Sequence, residues 1–220
     1  MAQVGGIITD GKTGKPLVGV KVFVNKTTIG TQSDEAGQFK LENVLTGFQE
    51  IILYKNGYSI YRSSMKIQTG RAYNLKLSLT ASKKKKTTRL TEEEKASLKS
   101  KVTSAKAASE LVTIINEKDI EISVAEGQRV LVSKTPLTIQ NDATGYLLKY
   151  YAMELPLPEI SLAPIKYELL PAVDVKQNIA WEKNRKNYFQ GSQRHWLMAL
   201  VADQLKEEGY SILDEKGNEA

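Results

Sequence analysis

The stretch GIITDGKTGKPLVGVKVFV, residues 6–24, decides the fold of this chain together with SDEAGQF at 33–39 and FQEIIL at 48–53. Short β-branched runs alternate here with turns rich in Gly, Asp, Asn and Pro about every ten residues, a spacing typical of small β-sandwiches. Val20, Val22 and Val24 follow a period of two, so one face of their strand is apolar. The sequence therefore predicts a mainly β protein that begins with an antiparallel β-sandwich.

The same region contains a pattern of turn and core residues with a familiar order. Its members are Gly6, Asp10, Thr13–Gly14, Pro16–Leu17, Gly19–Val20, Gly30–Thr31, Asp34, Gly37, Phe39–Leu41 and Gly57–Tyr58. In this pattern the region resembles the carboxypeptidase regulatory-like domain, a prealbumin-like β-sandwich frequent in exported proteins of the Bacteroidetes. The resemblance implies a fold for residues 1–81 but no specific function.

Residues 6–13 also match the phosphate-loop pattern G-x-x-x-x-G-K-[ST]. That chemistry needs a buried strand before the loop and a helix after it, so that backbone amides face the phosphates. Only five residues precede Gly6, and Gly14 and Pro16 follow, which favours a hairpin. We therefore predict no nucleotide site.

The composition excludes several kinds of chemistry. The 220 residues are 41% hydrophobic and 25% charged, as in an ordinary globular protein. Cysteine is absent and His195 is the one histidine, so thiol nucleophiles, disulfides and Cys- or His-rich metal centres are excluded. We predict no cofactor and no metal. No apolar run is long enough for a transmembrane helix, and no signal peptide is visible.

The net charge of +6 is concentrated in one segment. Residues 76–106 hold ten Lys and Arg against three Glu, and the centre of this segment is the polar run ASKKKKTTR at 81–89. A basic patch for nucleic acid or anionic lipid is one interpretation, but no aromatic residues are interleaved with the lysines. We interpret 82–90 as a Lys-rich linker between residues 1–81 and a second module at 91–220, and we expect no nucleic-acid partner.

The second module has the pattern of an α+β domain. A capping box at Thr91–Glu94 predicts a helix that ends between Ser104 and Ser109. Short antiparallel strands are predicted at Ile120–Val124, Arg129–Ser133, Leu137–Gln140, Leu147–Leu155 and Ile165–Leu169. Two C-terminal helices follow, one over Asp174–Tyr188 and one after Ser192. The second has an apolar stripe and a stop at Gly209; the stripe consists of Trp196, Leu197, Leu200, Val201 and Leu205.

A second group of residues in this module also matches a known pattern. It comprises Ile139–Tyr150, Trp181–Arg185, Tyr188, Gly191–Ser192, His195–Leu197, Ala199–Leu200, Leu205 and Gly209–Tyr210. These look like the segment that follows the regulatory-like domain in many exported Bacteroidetes proteins. Residues 153–166 depart from that pattern because prolines interrupt them, and Trp196 replaces the usual Phe. Relatives often continue further, so the resemblance leaves room for a region beyond Ala220.

Two groups of side chains are candidate functional residues. The densest polar cluster is Asn184, Arg185, Ser192, Arg194 and His195. One hypothesis makes Ser192 a nucleophile and His195 its base; the other makes the cluster a structural network, which we favour because no carboxylate is placed by sequence to orient the histidine. The second group is Tyr54, Tyr58, Tyr61 and Tyr73, which either stack on sugar rings or fill core and cross-strand positions.

These observations favour a non-catalytic exported protein over an enzyme. The resemblances imply a binding or scaffolding role at the cell envelope, periplasmic or associated with the outer membrane and linked to nutrient uptake. The expected partner is an envelope protein or a glycan. A carbohydrate-binding module is the alternative, and a hydrolase that uses Ser192 and His195 is the third hypothesis.

Overall fold

The structure is a computed structural model, and it describes residues 2–82, 86–103, 111–125, 128–133, 135–151, 155–156 and 163–211. The chain forms two compact units: Met1–Asp142 with Tyr146–Leu170, and Ala143–Gly145 with Pro171–Ala220. Apart from residues 143–145, the boundary between the two units thus falls between residues 170 and 171. The domain limits expected at residues 82–90 stay a prediction.

The first part of the larger unit is a two-sheet β-sandwich, as expected. Its strands are β1 (Ala2–Asp10), β2 (Lys21–Val24), β3 (Gly30–Gln32), β4 (Gln38–Val44), β5 (Gly47–Tyr54), β6 (Tyr61–Ile67) and β7 (Ala72–Leu79). One sheet has the order β4-β1-β7 and the other β3-β2-β5-β6. The β1–β7 pair is parallel, whereas the other pairs of the sandwich are antiparallel.

The sandwich core is formed by the period-two side chains that the sequence predicts. Val22 and Val24 of β2 are buried against apolar residues of the opposite sheet, which include Ile8 of β1 and Phe39 and Leu41 of β4. Apolar burial of this kind is the main favourable term in folding. The alternation therefore fixes which face of each strand lies inside.

The phosphate-loop match is a strand followed by a tight turn. Gly6 lies within β1, where a Cβ would come 2.1 Å from the carbonyl oxygen of Leu75. The turn is closed by Asp10, whose Oδ1 accepts the backbone N–H groups of Lys12 (2.9 Å) and Thr13 (2.7 Å). The glycine therefore permits close approach of two backbones, and the amides after it are already bonded to a carboxylate.

Two further four-stranded sheets follow. Their strands are β8 (Thr88–Arg89), β9 (Val112–Ile114), β10 (Ile120–Ala125), β11 (Gln128–Ser133), β12 (Leu137–Asn141), β13 (Tyr146–Tyr150), β14 (Leu155–Pro156) and β15 (Ile165–Leu169). The orders are β14-β11-β10-β8 and β15-β13-β12-β9. A common core includes Ile122, Leu131 and Ile139 together with Leu98 of helix α1 (Glu92–Thr103).

The capping box before α1 is confirmed. The backbone N–H of Thr91 donates to Glu94 Oε2 at 2.8 Å, and the N–H of Glu94 donates to Thr91 Oγ1 at 3.3 Å. Both side chains thereby satisfy backbone donors at the start of the helix. The predicted end of this helix, between Ser104 and Ser109, lies outside the described residues.

Strand β8 lies inside the stretch interpreted as a linker. Thr88 and Arg89 pair with β10, the Oγ1 of Thr87 donates to Glu121 Oε2 (2.6 Å), and the carbonyl of Lys86 accepts from Ser123 Oγ (2.9 Å). Backbone pairing needs no large apolar side chain, so the polar composition did not reveal this strand. Strand β13 ends at Tyr150 and not at Leu155 as predicted, and Leu155 and Pro156 belong to the separate strand β14, which pairs with β11.

Strand β15 adjoins the turn between β2 and β3. The N–H of Lys26 donates to the carbonyl of Ile165 at 2.7 Å, and the N–H of Tyr167 donates to that of Thr27 at 2.9 Å. Beside this contact Tyr151 packs on Phe23 and Tyr54, with ring centroids 4.5 and 4.8 Å apart. The outer face of sheet β3-β2-β5-β6 is therefore partly apolar as well.

The smaller unit contains helices α2 (Val175–Phe189) and α3 (Gln193–Val201). Both predicted starts are confirmed, since Asp174 accepts from the N–H of Gln177 and Ser192 accepts from the N–H of His195. Helix α3 ends at Val201, so the prediction that it continues to Gly209 is wrong. Within the described residues, no helix is both long and apolar enough to cross a membrane.

The early end of α3 has a local cause. Asp203 adopts a positive φ of 57°, and the N–H of Gln204 turns back to the carbonyl of Ala199 at 2.8 Å. This arrangement satisfies a free carbonyl at the end of the helix in the way that a C-terminal glycine usually does. Aspartate is one of the few other residues that tolerate such a φ.

Candidate functional site

The junction of α2 and α3 brings together Ser192 and His195. Gly191 has a φ of 74°, which reverses the chain between the two helices. Ser192 Oγ donates to the carbonyl of Phe189 at 2.6 Å and accepts from the N–H of His195 at 3.2 Å. The serine proton is therefore directed at the backbone and not at the imidazole.

His195 is buried and uses both ring nitrogens. Its Nδ1 accepts the backbone N–H of Gly191 at 3.1 Å and lies 2.7 Å from the hydroxyl of Tyr210, while its Nε2 lies 2.8 Å from Glu208 Oε2. A backbone N–H can only donate, so Nδ1 carries no proton. We assign the proton to Nε2, which donates to Glu208, and Tyr210 donates to Nδ1. The imidazole thus has no nitrogen available to accept a proton from Ser192.

Sequence reasoning missed Glu208 and Tyr210 as partners of the histidine. A second helical turn follows α3 and ends at Gly209, whose φ is 78°. The N–H of Tyr210 returns to the carbonyl of Leu205 at 2.8 Å, and this reversal places both side chains on His195. Gly209 was a signal for the reversal, but its spacing from His195 did not indicate which residues would face the ring.

Asn184 and Arg185 serve a different contact. Asn184 Nδ2 donates to the carbonyl of Ala143 (2.7 Å), and Arg185 Nε donates to that of Thr144 (2.7 Å). Both bonds hold the turn 143–145, on which the buried Trp181 also packs. The prediction of a single polar cluster is therefore corrected: Ser192 and His195 form one network and Asn184 and Arg185 another.

Arg194 belongs to neither network. Its side chain is exposed and makes no hydrogen bond or ion pair with the described part of the chain. On helix α3 it precedes His195 and points away from the buried ring. The expectation that it joins the cluster is wrong, because adjacent helical residues lie on different faces.

An apolar surface lies beside the histidine. A pocket of about 300 Å³ is lined by Phe189, His195, Met198 and Glu208 among others. The exposed apolar side chains of α3 adjoin it; they are Trp196, Leu197, Met198, Leu200 and Val201. The predicted apolar stripe of this helix is thus mostly exposed. We call these five residues the α3 apolar surface.

The four candidate tyrosines occupy packing positions to different degrees. Tyr54 is buried against Tyr151, so its assignment as a ligand-facing residue is wrong. Tyr58, Tyr61 and Tyr73 are half-buried against the sandwich core. A ligand-facing role of these three stays a prediction.

Tyr58 and Asp10 form an electrostatic link in the sandwich. The Tyr58 hydroxyl donates to Asp10 Oδ2 at 2.8 Å. The backbone N–H of Thr13, together with Tyr58, lowers the pKa of Asp10 to about 2 by stabilising the charged form. The same bond raises the pKa of Tyr58. Among the described residues, no group of three or more Asp, Glu and His side chains is arranged to hold a metal ion.

The strand order and the buried core define residues 2–79 as a two-sheet β-sandwich. Residues 4–93 match the model of the CarboxypepD_reg-like domain. This match agrees with the predicted resemblance of residues 1–81 to the carboxypeptidase regulatory-like domain. Among curated proteins, none matches the chain.

Several solved structures are similar to parts of the chain. A type II cohesin–X-dockerin complex from Acetivibrio cellulolyticus is 18% identical, with 37% of this chain and 58% of that one covered and a TM-score of 0.32. The minor pilin GBS52 of Streptococcus agalactiae is 16% identical, with 38% and 46% covered and a TM-score of 0.32. A membrane-associated protein of unknown function from Bacteroides fragilis is 11% identical, with 83% and 77% covered and a TM-score of 0.29. The chain thus spans about half the length of the first two.

Proposed function

We propose that this protein is a non-catalytic binding or scaffolding protein of the cell envelope, and that it contacts a protein partner through the α3 apolar surface. The observation that carries the proposal is the exposure of this surface next to a polar cluster whose groups are already hydrogen-bonded. Envelope localisation, periplasmic or at the outer membrane, and a link to nutrient uptake rest on the family resemblance alone.

The chemistry of the surface favours a protein over a glycan. Three of its five side chains are aliphatic and a fourth is Met198, and Val201 is 87% exposed. Sugars bind through exposed aromatic faces and polar groups, whereas protein interfaces bury aliphatic and Met side chains at their centre. Contiguous exposed apolar side chains of this kind mark interaction sites more often than free surface.

The hydrogen bonds of the neighbouring cluster support a non-catalytic role. A nucleophilic serine needs its hydroxyl within reach of a base with a free nitrogen. Ser192 Oγ donates to Phe189, and both nitrogens of His195 have other partners. The cluster therefore fixes the helix junction beneath the α3 apolar surface.

Site-specific photo-crosslinking in the natural host tests this proposal. A photoreactive amino acid is placed at Leu197 or Val201, and at the exposed Lys176 of α2 as the matched control. We expect a discrete adduct with one envelope protein from the two α3 positions and none from Lys176. A Leu200→Asp variant should abolish the adduct without lowering the melting temperature.

Two results would overturn the proposal. One is the absence of any adduct, or adducts only between copies of this chain, at both α3 positions. The other is hydrolysis of ester or glycoside substrates that disappears in both Ser192→Ala and His195→Gln.

A further inference from the structure

A second pocket lies entirely within the larger unit, between β2, β3 and β15. Its volume is about 200 Å³, and its lining includes Lys21, Tyr151, Lys166 and Glu168. It is independent of the α3 apolar surface, so the two proposals stand or fall separately.

The walls of this pocket are held by backbone and ring contacts. The N–H of Ile165 donates to Asn25 Oδ1 at 2.8 Å, in addition to the bonds that join Lys26 and Thr27 to β15. The N–H of Tyr151 donates to the carbonyl of Pro164 at 2.8 Å. Backbone hydrogen bonds therefore hold the segments that carry the lining side chains in place.

The pocket has an excess of positive charge. Lys149 Nζ lies 2.6 Å from Glu168 Oε2 and Lys166 Nζ lies 3.1 Å from Oε1, so both carboxylate oxygens are occupied. The side chain of Lys21 makes no hydrogen bond or ion pair with any described residue, although its charge interacts with those of Lys149, Lys166 and Glu168. The ammonium groups of Lys21, Lys149 and Lys166 thus outnumber the Glu168 carboxylate with which they interact, although Lys149 itself does not line the pocket.

Partial burial strengthens the repulsion between these lysine ammonium groups. The side chains of Lys149 and Lys166 are only 22% and 21% exposed, so solvent screens their charges less than at the surface. Burial, and then the charge of Lys149, lowers the pKa of Lys21. A bound anion would relieve this repulsion and restore the usual stability of the ammonium group.

The hydroxyl of Tyr151 is a further donor without a partner. Tyr151 is 1% exposed, and its hydroxyl has no hydrogen bond to the part of the chain that the structure describes. Buried hydroxyl groups are nearly always hydrogen-bonded, which makes this group an indication of a missing ligand. Burial also raises the pKa of Tyr151, so the group stays protonated and able to donate.

We propose that this pocket binds a small oxyanion, a carboxylate or phosphate group, between the ammonium groups of Lys21 and Lys166 and the hydroxyl of Tyr151. Ammonium groups bind either anion as point charges, and charge-assisted hydrogen bonds are the stronger ones. The limited volume excludes a polyanion and fits the end group of a larger molecule or a free ion.

Isothermal titration with sodium phosphate and with sodium acetate tests the site, at an ionic strength held constant with sodium chloride. We expect saturable binding of at least one anion, and the tighter one identifies the ligand group. Lys21→Gln should weaken binding about tenfold or more, because a bond between charged groups is lost. Lys15→Gln removes the same charge from an exposed turn and should leave binding unchanged.

Tyr151→Phe separates ligand binding from folding. The variant keeps the ring that packs on Phe23 and Tyr54 and removes only the unpartnered hydroxyl, so it should fold and bind more weakly than the parent. The proposal is overturned if neither anion binds saturably to the parent. It is equally overturned if Lys21→Gln and Tyr151→Phe both bind as well as Lys15→Gln.

Discussion

Gly145→Ala should destabilise the smaller unit more than Gly191→Ala or Gly209→Ala does. Gly145 has a φ of 65°, and a Cβ there would come 2.3 Å from Cδ2 and Cε3 of the Trp181 ring. An alanine in the left-handed region costs about 1–2 kcal/mol. Forcing a methyl group against a packed ring adds roughly 1–3 kcal/mol. We therefore expect a loss of about 2–5 kcal/mol in the free energy of unfolding.

Gly191→Ala is the matched control for this experiment. Its φ of 74° carries the same backbone cost, but nothing lies within 4 Å of the added Cβ. Urea denaturation followed by fluorescence of the buried Trp181, in a Trp196→Phe background, reports the unfolding of this unit. If Gly145→Ala is no more destabilising than Gly191→Ala, the packing of Trp181 on the turn 143–145 is refuted.

Two further predictions concern single polar groups. Ser192→Ala should lower the free energy of unfolding by about 1 kcal/mol, whereas Ser192→Thr should largely retain it because a threonine hydroxyl can both cap the helix and donate to the Phe189 carbonyl; equal losses in thermal melts would contradict the capping role. The pKa of Asp10 is lowered from 3.8 to about 2, so its contribution to stability is present above pH 4 and is lost as the pH falls toward 2. Asp10→Asn should therefore show a smaller shift of the urea midpoint between pH 5 and pH 2, and an unchanged acid dependence would show that Asp10 is not the responsible group.

Local patterns in the sequence predicted the fold where one side of an element is buried. The alternation of Val20, Val22 and Val24 placed β2 correctly, and the capping residues Thr91 and Ser192 placed two helix starts. These signals succeed because each depends on residues within one or two turns of the chain. The strand at Thr88–Arg89 has no such signal, since its partner β10 begins at Ile120.

The candidate sites were less accessible to sequence reasoning because they depend on distant residues. Phe23 occupies the polar side of the alternation in β2, and it is completely buried in a cluster with Ile52, Tyr54 and the distant Tyr151. Lys21 likewise looks like an ordinary exposed lysine until β15 brings Lys166 and Glu168 beside it. A pairing over more than a hundred residues leaves no periodic trace in either segment.

The C-terminal helices are consecutive in the chain, yet they depend on three residues from an earlier turn. Asn184 and Arg185 bond to the carbonyls of Ala143 and Thr144, and Trp181 packs on Gly145. At the tip of the β12–β13 hairpin these carbonyls have no strand partner, and side chains of α2 donate to them instead. The hairpin tip is thus part of the same cooperative unit as α2. The boundary expected at residues 82–90 leaves the hairpin tip and α2 on the same side, so linker composition gives no signal for this unit, which depends on side-chain bonds between residues about forty positions apart.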